Sequence, residues 1–361
     1  MSLVAETAQA TAASNKRVLR VGTRDSKLAL IQTDFVVSLI KATYPELLIQ
    51  TETMKTIGDK IQDVAMSKFG EKGLFTKELE SALEANMIDV IVHSLKDMPT
   101  QLPPNMALLA ITQREDPRDA VIMSLRNQGK NIWDLPEGSV VGTGSVRRVA
   151  QLRRLYPGLV FQDIRGNLTT RMAKLDAEDS PYAALILAVA GMKRQGLGAR
   201  ISHPLDNVMH AVGQGALGIE VRSDDVQTAQ MLVHCLNHRE TRMACFAERE
   251  LMRRLEGGCS VPIGVQTEWS QDKKVLKLDA VVASPDGQKE VRASDELLIV
   301  HETDDDDLQQ WLDREDARCH ELGAKVAALM RQKGAGAILD AIHRPEPVSA
   351  ELIAAATAHK G

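Results

Sequence analysis

The sequence predicts an α/β protein with two similar α/β domains and a small α+β domain at its carboxyl end. First, the chain has 361 residues, which is too long for one ordinary hydrophobic core. Second, a strand, a Val-Gly-Thr turn, a helix and a Tyr-Pro pair follow one another twice, at residues 17–45 and 139–157. Third, an Arg- and Glu-rich helix after residue 237 leads into three strand-like segments, which predict an antiparallel sheet.

Composition excludes several classes of protein. The net charge of −5 and the 3% aromatic content argue against a nucleic-acid partner, which would call for a basic surface and stacking platforms. No apolar run approaches the roughly 18 residues of a membrane span, so no membrane partner is expected. Four cysteines without a CxxC pair indicate neither disulfides nor a metal site. Residues 1–16 resemble neither a signal nor a transit peptide, and we predict a disordered tail on a cytoplasmic protein.

The first repeat begins with a strand at residues 17–21. The turn at residues 22–26, which contains Arg24 and Ser26, starts a helix that places Leu28, Ile31 and Phe35 on one face, with Leu39 completing it. Because ligands bind at the carboxyl edge of such sheets, this turn is a candidate binding loop. A cleft between two domains of this kind is the natural site.

A second loop of the first domain follows a helix at residues 76–87 and an apolar strand at residues 88–92. Lys96 and Asp97 come at the carboxyl end of that strand, and three prolines then favour an extended segment. Asp97 is either a functional carboxylate at the sheet edge or a turn and capping residue, and its position alone leaves both possibilities open.

The second repeat concentrates positive charge at two helix starts. Residues 142–145 form a Gly-rich turn before Arg147 and Arg148, and Asn167 is a good N-cap for a helix flanked by Arg165 and Arg171. Helix N-termini attract anions, and guanidinium groups beside them make a carboxylate or phosphate receptor. The alternative is a solvated helix face. A further strand is predicted at residues 184–189, before Arg194.

Residues 213–218 match GxGxxG, but a dinucleotide site requires a strand before the glycines and a helix after them. Here an alternating segment that is typical of a strand follows, so we interpret the glycines as a crossover that returns to the first domain. The predicted division is therefore residues 17–114 with 214–236 for the first domain, 115–213 for the second and 237–361 for the third.

The third domain should contain strands at residues 261–267, 275–282 and 290–300, then an acidic loop at 304–307 and a long helix at 308–333. Before the first strand, Cys259 follows Gly257 and Gly258. Two glycines leave the neighbouring thiol open to a large group. The alternative is a small buried hydrophobe.

Five motifs in this order resemble the hydroxymethylbilane synthases, also called porphobilinogen deaminases: VHSLKDMPT, GTGSVRR, IRGNLTTR, AVGQGALG and LEGGCSVP. The resemblance covers roughly residues 18–262. It implies a monomeric transferase of tetrapyrrole and haem biosynthesis, with three domains of which the first two are periplasmic-binding-protein-like. Members of the family condense four molecules of porphobilinogen head to tail and release ammonia each time.

The resemblance also implies residue roles. Cys259 matches the cysteine that carries a dipyrromethane cofactor through a thioether, and Asp97 matches the catalytic carboxylate that stabilises the cationic azafulvene. Every pyrrole brings two carboxylates, which the polar and basic residues would hold. The positions matching cofactor contacts are Ser94, Lys96, Ser145, Arg147, Arg148, Arg171 and Gln214. Those matching substrate contacts are Arg24, Ser26, Gln32, Arg165, Asn167 and Arg194.

One position departs from the family pattern. Relatives commonly have two serines where this chain has Gly144 and Ser145, so one hydroxyl donor is missing from the anion loop. Backbone N–H groups there still serve an anion. Two other functions use a similar cleft: a non-catalytic binding protein for an organic anion, which a signal peptide would favour, and an effector-binding module, which would need a DNA-binding helix pair. Neither explains Cys259.

Overall fold

Three β-sheets organise the described part of the chain, which comprises residues 18–56, 76–256, 261–299 and 308–343 of a computed structural model. Cys259, the predicted tail and the acidic loop lie outside these residues. The strands are β1 (Val18–Arg24), β2 (Leu48–Met54), β3 (Val90–Ser94), β4 (Met106–Ile111), β5 (Asp119–Met123), β6 (Val140–Gly142), β7 (Val160–Gln162), β8 (Tyr182–Ala188), β9 (His203–Leu205), β10 (Leu217–Arg222), β11 (Ile263–Trp269), β12 (Val275–Ala283) and β13 (Glu290–Leu298).

The helices lie between these strands and at the carboxyl end. They are α1 (Lys27–Thr43), α2 (Lys77–Glu84), α3 (Val146–Leu155), α4 (Leu168–Asp176), α5 (Val189–Arg194), α6 (Val226–Leu236), α7 (Arg239–Arg254), α8 (Leu308–Gln332) and α9 (Ala335–His343). Within the described ranges, no helix is long and apolar enough to cross a membrane.

The first two sheets have the same topology. Their strand orders are β2-β1-β3-β10-β4 and β7-β6-β8-β5-β9. In each, three neighbouring strands are parallel and the fourth, β10 or β5, runs antiparallel to both of its neighbours. The α/β class and the pair of similar sheets are confirmed. The strand after the GxGxxG segment is β10, so this segment does return the chain to the first sheet.

The repeated sequence pattern forms the same local structure twice. Ser26 caps α1 by accepting a hydrogen bond from the N–H of Ala29, and Ser145 caps α3 in the same way from the N–H of Arg148. Both helices end on a tyrosine N–H bonded to a carbonyl four residues earlier, at 2.7 Å in each case. Each cap fixes where its helix starts, and therefore which loop residues reach the sheet edge.

The apolar face predicted for α1 is not the face that the helix buries most deeply. Phe35 is 44% exposed, and the buried side chains are those of Ala29, Gln32, Thr33, Val36 and Ile40. The apolar side chains do not identify the inner face of this helix, because that face includes polar Gln32, which takes part in the candidate site. Hydrophobic periodicity cannot register a polar side chain that is buried for a ligand or a neighbour.

The third domain is the predicted antiparallel sheet, in the order β11-β12-β13, covered by α7 and α8. Alternate residues of β12, including Leu276 and Leu278, are fully buried in its core. Two contacts fix it to the other sheets. Arg114 makes a two-pronged ion pair with Glu248 of α7, at 2.6 and 3.0 Å, and the backbone of His210 pairs with Val265 of β11.

Candidate active site

Asp97 lies at the carboxyl end of β3, in the single 3₁₀ turn Leu95–Asp97. Leu95 anchors this turn: its side chain is 1% exposed and its N–H donates to the carbonyl of Ala216, at 3.0 Å. Asp97 is half-buried. Within the described residues its carboxylate accepts no hydrogen bond. The turn therefore presents a carboxyl group whose position is fixed by Leu95 and whose hydrogen-bonding capacity is not used by the described residues.

A small cavity beside Asp97 brings together the predicted residues of the first domain. Its volume is about 20 Å³, enough for one water molecule. Ser94 donates to the side-chain oxygen of Gln32 at 3.0 Å, so these two hold each other at its wall. Ser26 is engaged as the cap of α1. The lining residues are Arg24, Ala29, Gln32, Thr76, Val92, His93, Ser94 and Asp97.

In the second domain, both arginines of the anion loop bind a carboxylate that the sequence analysis missed. Arg147 and Arg148 are 5% and 6% exposed, and each places a terminal nitrogen 2.7 Å from Asp119, the first residue of β5. Gln214 donates to the same carboxylate at 2.8 Å. We call these four residues the Asp119 cluster. The sequence does contain a signal for Asp119, because a charged residue begins the otherwise apolar strand DAVIM. A carboxylate buried in this way requires cationic partners.

The charges of the Asp119 cluster do not balance. Burial alone would raise the pKa of Asp119, but Arg147 and Arg148 outweigh it and hold the pKa far below its usual range. Two guanidinium groups against one carboxylate leave one positive charge. Within the described residues, Nε of Arg148 and Oε1 of Gln214 are buried without a hydrogen-bond partner. The cluster is thus prepared for a further anionic, hydrogen-bonding group.

Lys96 connects the loops of the two domains. Burial lowers the pKa of its amine, and the positive charges of Arg147 and Arg148 lower it further, while Asp97 and Asp119 oppose them. Charges from the second domain thus act on a lysine of the first, so the loop of Lys96 lies near the Asp119 cluster, and we call the space between them the cleft.

Arg165 and Arg171 flank the start of α4, and Arg171 makes fewer hydrogen bonds than Arg165 within the described residues. Its Nε donates to the carbonyl of Gly166 at 2.7 Å, and its terminal nitrogens carry no hydrogen bond within the described ranges. Burial lowers the pKa of its guanidinium, and Arg148 adds to this shift. Gly166 has φ +107, and a Cβ there would lie 2.8 Å from Thr170. Glycine therefore permits the turn that aims Arg171.

Three other predicted residues have partners within the protein. Asn167 caps α4 as predicted, accepting from the N–H of Thr170 at 2.9 Å. Arg165 is half-buried and forms an ion pair with Asp163. Arg194 donates to the carbonyl of Gly215 at 2.7 Å, which fixes the crossover. A ligand at Arg165 must compete with Asp163, whereas one at Arg194 meets a guanidinium already positioned by backbone.

Gly144 has little room for a side chain. A Cβ at this position would lie 3.0 Å from Oδ1 of Asp163 and 3.3 Å from the carbonyl of Ile164. Asp163 thus approaches the anion loop where the resemblance leads one to expect a serine. The carboxylate of Asp163 therefore lies next to the position where relatives have the additional serine.

Comparison with known proteins gives the family. The family model for the porphobilinogen deaminase dipyromethane cofactor binding domain matches residues 19–230, and the model for the porphobilinogen deaminase C-terminal domain matches residues 242–332. The chain belongs to the porphobilinogen deaminase family. The family resemblance stated from the motifs is confirmed.

Relatives in this family match over nearly their whole length. A porphobilinogen deaminase of Nostoc sp. is 46% identical over 331 residues, which are 91% of this chain and 96% of that protein. One from Gloeobacter violaceus is 53% identical over 280 residues, 77% of this chain and 84% of the relative. Among solved structures, the methionine binding protein MetQ is similar with a TM-score of 0.40 and 14% identity, over 64% of this chain and 94% of that one.

The donor set fits the cofactor for which the porphobilinogen deaminase domain is described. A dipyrromethane carries several carboxylates, and the cleft offers the unpartnered Nε of Arg148, the terminal nitrogens of Arg171 and the surplus charge of the Asp119 cluster. Cys259 lies outside the described residues. Burial raises the pKa of each described cysteine, Cys235, Cys245 and Cys319, and so makes them poor nucleophiles.

Proposed function

We propose that this protein is a hydroxymethylbilane synthase, which condenses four porphobilinogen molecules head to tail, releases ammonia at each step and forms the linear tetrapyrrole hydroxymethylbilane. The carboxylate of Asp97, which accepts no hydrogen bond within the described residues, carries this proposal together with the surplus charge of the Asp119 cluster. The substrate brings carboxylates and develops positive charge where its amine departs. The cations of the Asp119 cluster can bind the carboxylates, and the carboxylate of Asp97 can stabilise the positive charge.

Asp97 is the proposed catalytic residue. An ionised carboxylate only accepts hydrogen bonds, so it binds pyrrole N–H groups and stabilises the cationic azafulvene that remains once ammonia has left. Its place in a turn anchored by buried Leu95 supports this role, because a group that is already oriented needs no reorganisation when charge develops.

The basic residues bind carboxylates in two ways. Arg147 and Arg148 are fixed on Asp119, so they contribute mainly charge, together with Nε of Arg148. Arg171 and Lys96 offer groups that can bind a carboxylate directly. We assign cofactor carboxylates to this set, with Ser94, Ser145 and Gln214. Incoming substrate is assigned to Arg24, Ser26, Gln32, Arg165, Asn167 and Arg194.

We assign attachment of the dipyrromethane to the Cys259 thiol. When bound, this group supplies the pyrrole chain to which substrate is added. Tethering keeps that chain at high effective concentration through all condensations. The reduced nucleophilicity of the three described thiols supports the choice of Cys259. The negative net charge and low aromatic content support the further proposal that the protein works without nucleic acid. The proposal that it is a cytoplasmic monomer rests on the family resemblance.

Intact-mass measurement with peptide mapping tests the attachment. We expect active protein to carry one dipyrromethane on the peptide containing Cys259. Cys259→Ser should lack both the adduct and activity, whereas the control Cys235→Ser should keep both. An unmodified mass in fully active protein would refute the proposal.

Replacing Asp97 by Asn tests its catalytic role, because this change keeps the shape of the side chain and removes the charge. We expect a folded protein whose kcat falls by two to three orders of magnitude, on the order of what loss of one preorganised electrostatic group costs. Asp34→Asn, on the exposed side of α1, serves as the control. A kcat for Asp97→Asn within threefold of that control would return Asp97 to the role of a turn residue.

A further inference from the structure

A buried imidazole–carboxylate pair lies behind Asp97. Nε2 of His93 is 2.8 Å from Oε2 of Glu220, and the two side chains are 4% and 0% exposed. The register of β3 and β10 places Gly218 directly opposite His93, so Glu220 is its diagonal neighbour on the adjacent strand. An ionisable residue inside an apolar strand is costly unless it is paired, so this pair requires an explanation.

The contact with Glu220 fixes which ring nitrogen carries hydrogen. A carboxylate accepts hydrogen bonds, so Nε2 of a neutral His93 is protonated and Nδ1 bears the lone pair. Across the described residues, Nδ1 has no hydrogen-bond partner. His93 and Asp97 both line the cavity of about 20 Å³, which has room for one water.

We propose that His93, held by Glu220, is a proton acceptor in the condensation and acts through one water in the cavity it shares with Asp97. This inference rests on the proposed function and adds a residue to it. Because His93 acts through water, it is a positioning and relay residue. The buried carboxylate holds the imidazole in one tautomer and stabilises the imidazolium, as in a Ser-His-Asp triad.

The chemistry of each condensation requires such an acceptor. The substrate's ammonium group leaves as ammonia, and the carbon it leaves forms a bond to the α-carbon of the neighbouring pyrrole. That α-carbon then loses its hydrogen as a proton, and the electrons of the C–H bond return to the ring. The proton passes through the cavity water to Nδ1 of His93. It leaves finally with ammonia as ammonium, so the protein ends each cycle unchanged.

Charges of both signs surround the pair. Glu220 is nearest, on β10, and Glu80 of α2 and Asp97 of the 3₁₀ turn add negative charge. Arg24 lines the cavity and Arg249 of α7 acts on Glu220, so these two add positive charge. Among these groups, Glu220 is the one that contacts the imidazole directly within the described residues.

His93→Gln and His93→Ala test the inference. Glutamine still donates to Glu220 but cannot accept the proton. We expect kcat of His93→Gln to fall about 100-fold or more, as loss of a general base does, with KM within threefold and an unchanged thermal midpoint. For His93→Ala, added imidazoles should restore rate in order of their basicity. His203→Gln is the matched control, because this histidine of β9 packs against Trp133 at a tilted angle and does not line the cavity.

An unchanged kcat for His93→Gln, or a rescue that depends on imidazole size and not on basicity, would overturn the inference. A second measurement does not depend on activity: ¹⁵N NMR of histidine-labelled protein without cofactor should show Nδ1 of His93 unprotonated and Nε2 protonated. The opposite tautomer would also overturn it. Failure of the proposed function would give a different result, because the protein without any substitution would then not consume porphobilinogen at all.

Discussion

The two α/β sheets each contain one strand that runs against its neighbours, and each of these strands carries one buried carboxylate. Glu220 belongs to β10 and Asp119 to β5, which occupy the same place in the two strand orders. The two carboxylates lie at different positions along their sheets. Asp119 is opposite Ala188, the last residue of β8, whereas Glu220 is opposite Ile91 within β3. One carboxylate therefore reaches the cleft edge and the other lies inside the sheet.

The partners of the two carboxylates explain the different chemistry of the domains. Asp119 binds permanently charged guanidinium groups, so the second domain presents a fixed surplus of positive charge. Glu220 binds an imidazole, which can gain and lose a proton. The same topology thus supports an anion receptor in one sheet and a proton-handling site in the other, because the partner of the carboxylate determines its function.

The largest expected effect comes from neutralising the two carboxylates in turn. Asp119→Asn should lower the free energy of unfolding by about 3–5 kcal/mol, because it leaves two buried guanidinium groups without a counter-charge. Glu220→Gln should lower it by only about 1–2 kcal/mol, because an amide still accepts a hydrogen bond from Nε2 of His93.

Urea denaturation of both variants at neutral pH measures this difference, and intact mass shows whether the cofactor is still assembled. We expect Asp119→Asn to lack the cofactor and Glu220→Gln to retain it. Equal destabilisation by the two changes would contradict the view that only Asp119 balances a cationic cluster.

A smaller effect should separate cleft cations from surface cations in the second domain. Arg171→Leu should raise the substrate KM or stall elongation by about 10- to 100-fold, the range expected for one charge-assisted hydrogen bond. Arg153 of α3 donates to the carbonyl of Pro285 on the surface, and Arg153→Leu should change either constant by less than threefold. Steady-state kinetics decides, and similar effects of both changes would remove Arg171 from the site.

A further effect concerns acid stability. Burial lowers the pKa of His210 in the crossover to about 4, with Arg114 adding to the shift. An unfolded histidine binds a proton below about pH 6.5, so stability should fall by roughly 3 kcal/mol between pH 6.5 and 4. The pKa of Asp119 is depressed, so its contribution is present above about pH 4 and is lost only in stronger acid.

Urea midpoints at pH 7, 5.5 and 4.5 test this order of events. His210→Gln should flatten the dependence over this range, while the acid limb below pH 4 remains. An identical slope in the variant would mean that another group couples proton uptake to unfolding.

Local patterns in the sequence were enough to predict the α/β class, the repeated strand–turn–helix unit and its caps, the third sheet and the family. These features depend on glycine and proline positions, capping side chains and apolar periodicity. Each of these signals involves only a few neighbouring residues, so it can be recognised in a short stretch of sequence. The sequence also predicted which segments lie at sheet edges, and therefore Asp97, Lys96 and the arginines as candidates.

The pairing of those candidates is visible only in the folded molecule. The tertiary structure joined Arg147 and Arg148 to Asp119, turned Gln32 of α1 inward while exposing Phe35, and placed Glu220 beside His93 although 127 residues separate them. Such pairs depend on which strands become neighbours, which no local pattern encodes. Electrostatic interactions act through space, so the charge that a ligand meets becomes defined only once the chain has folded.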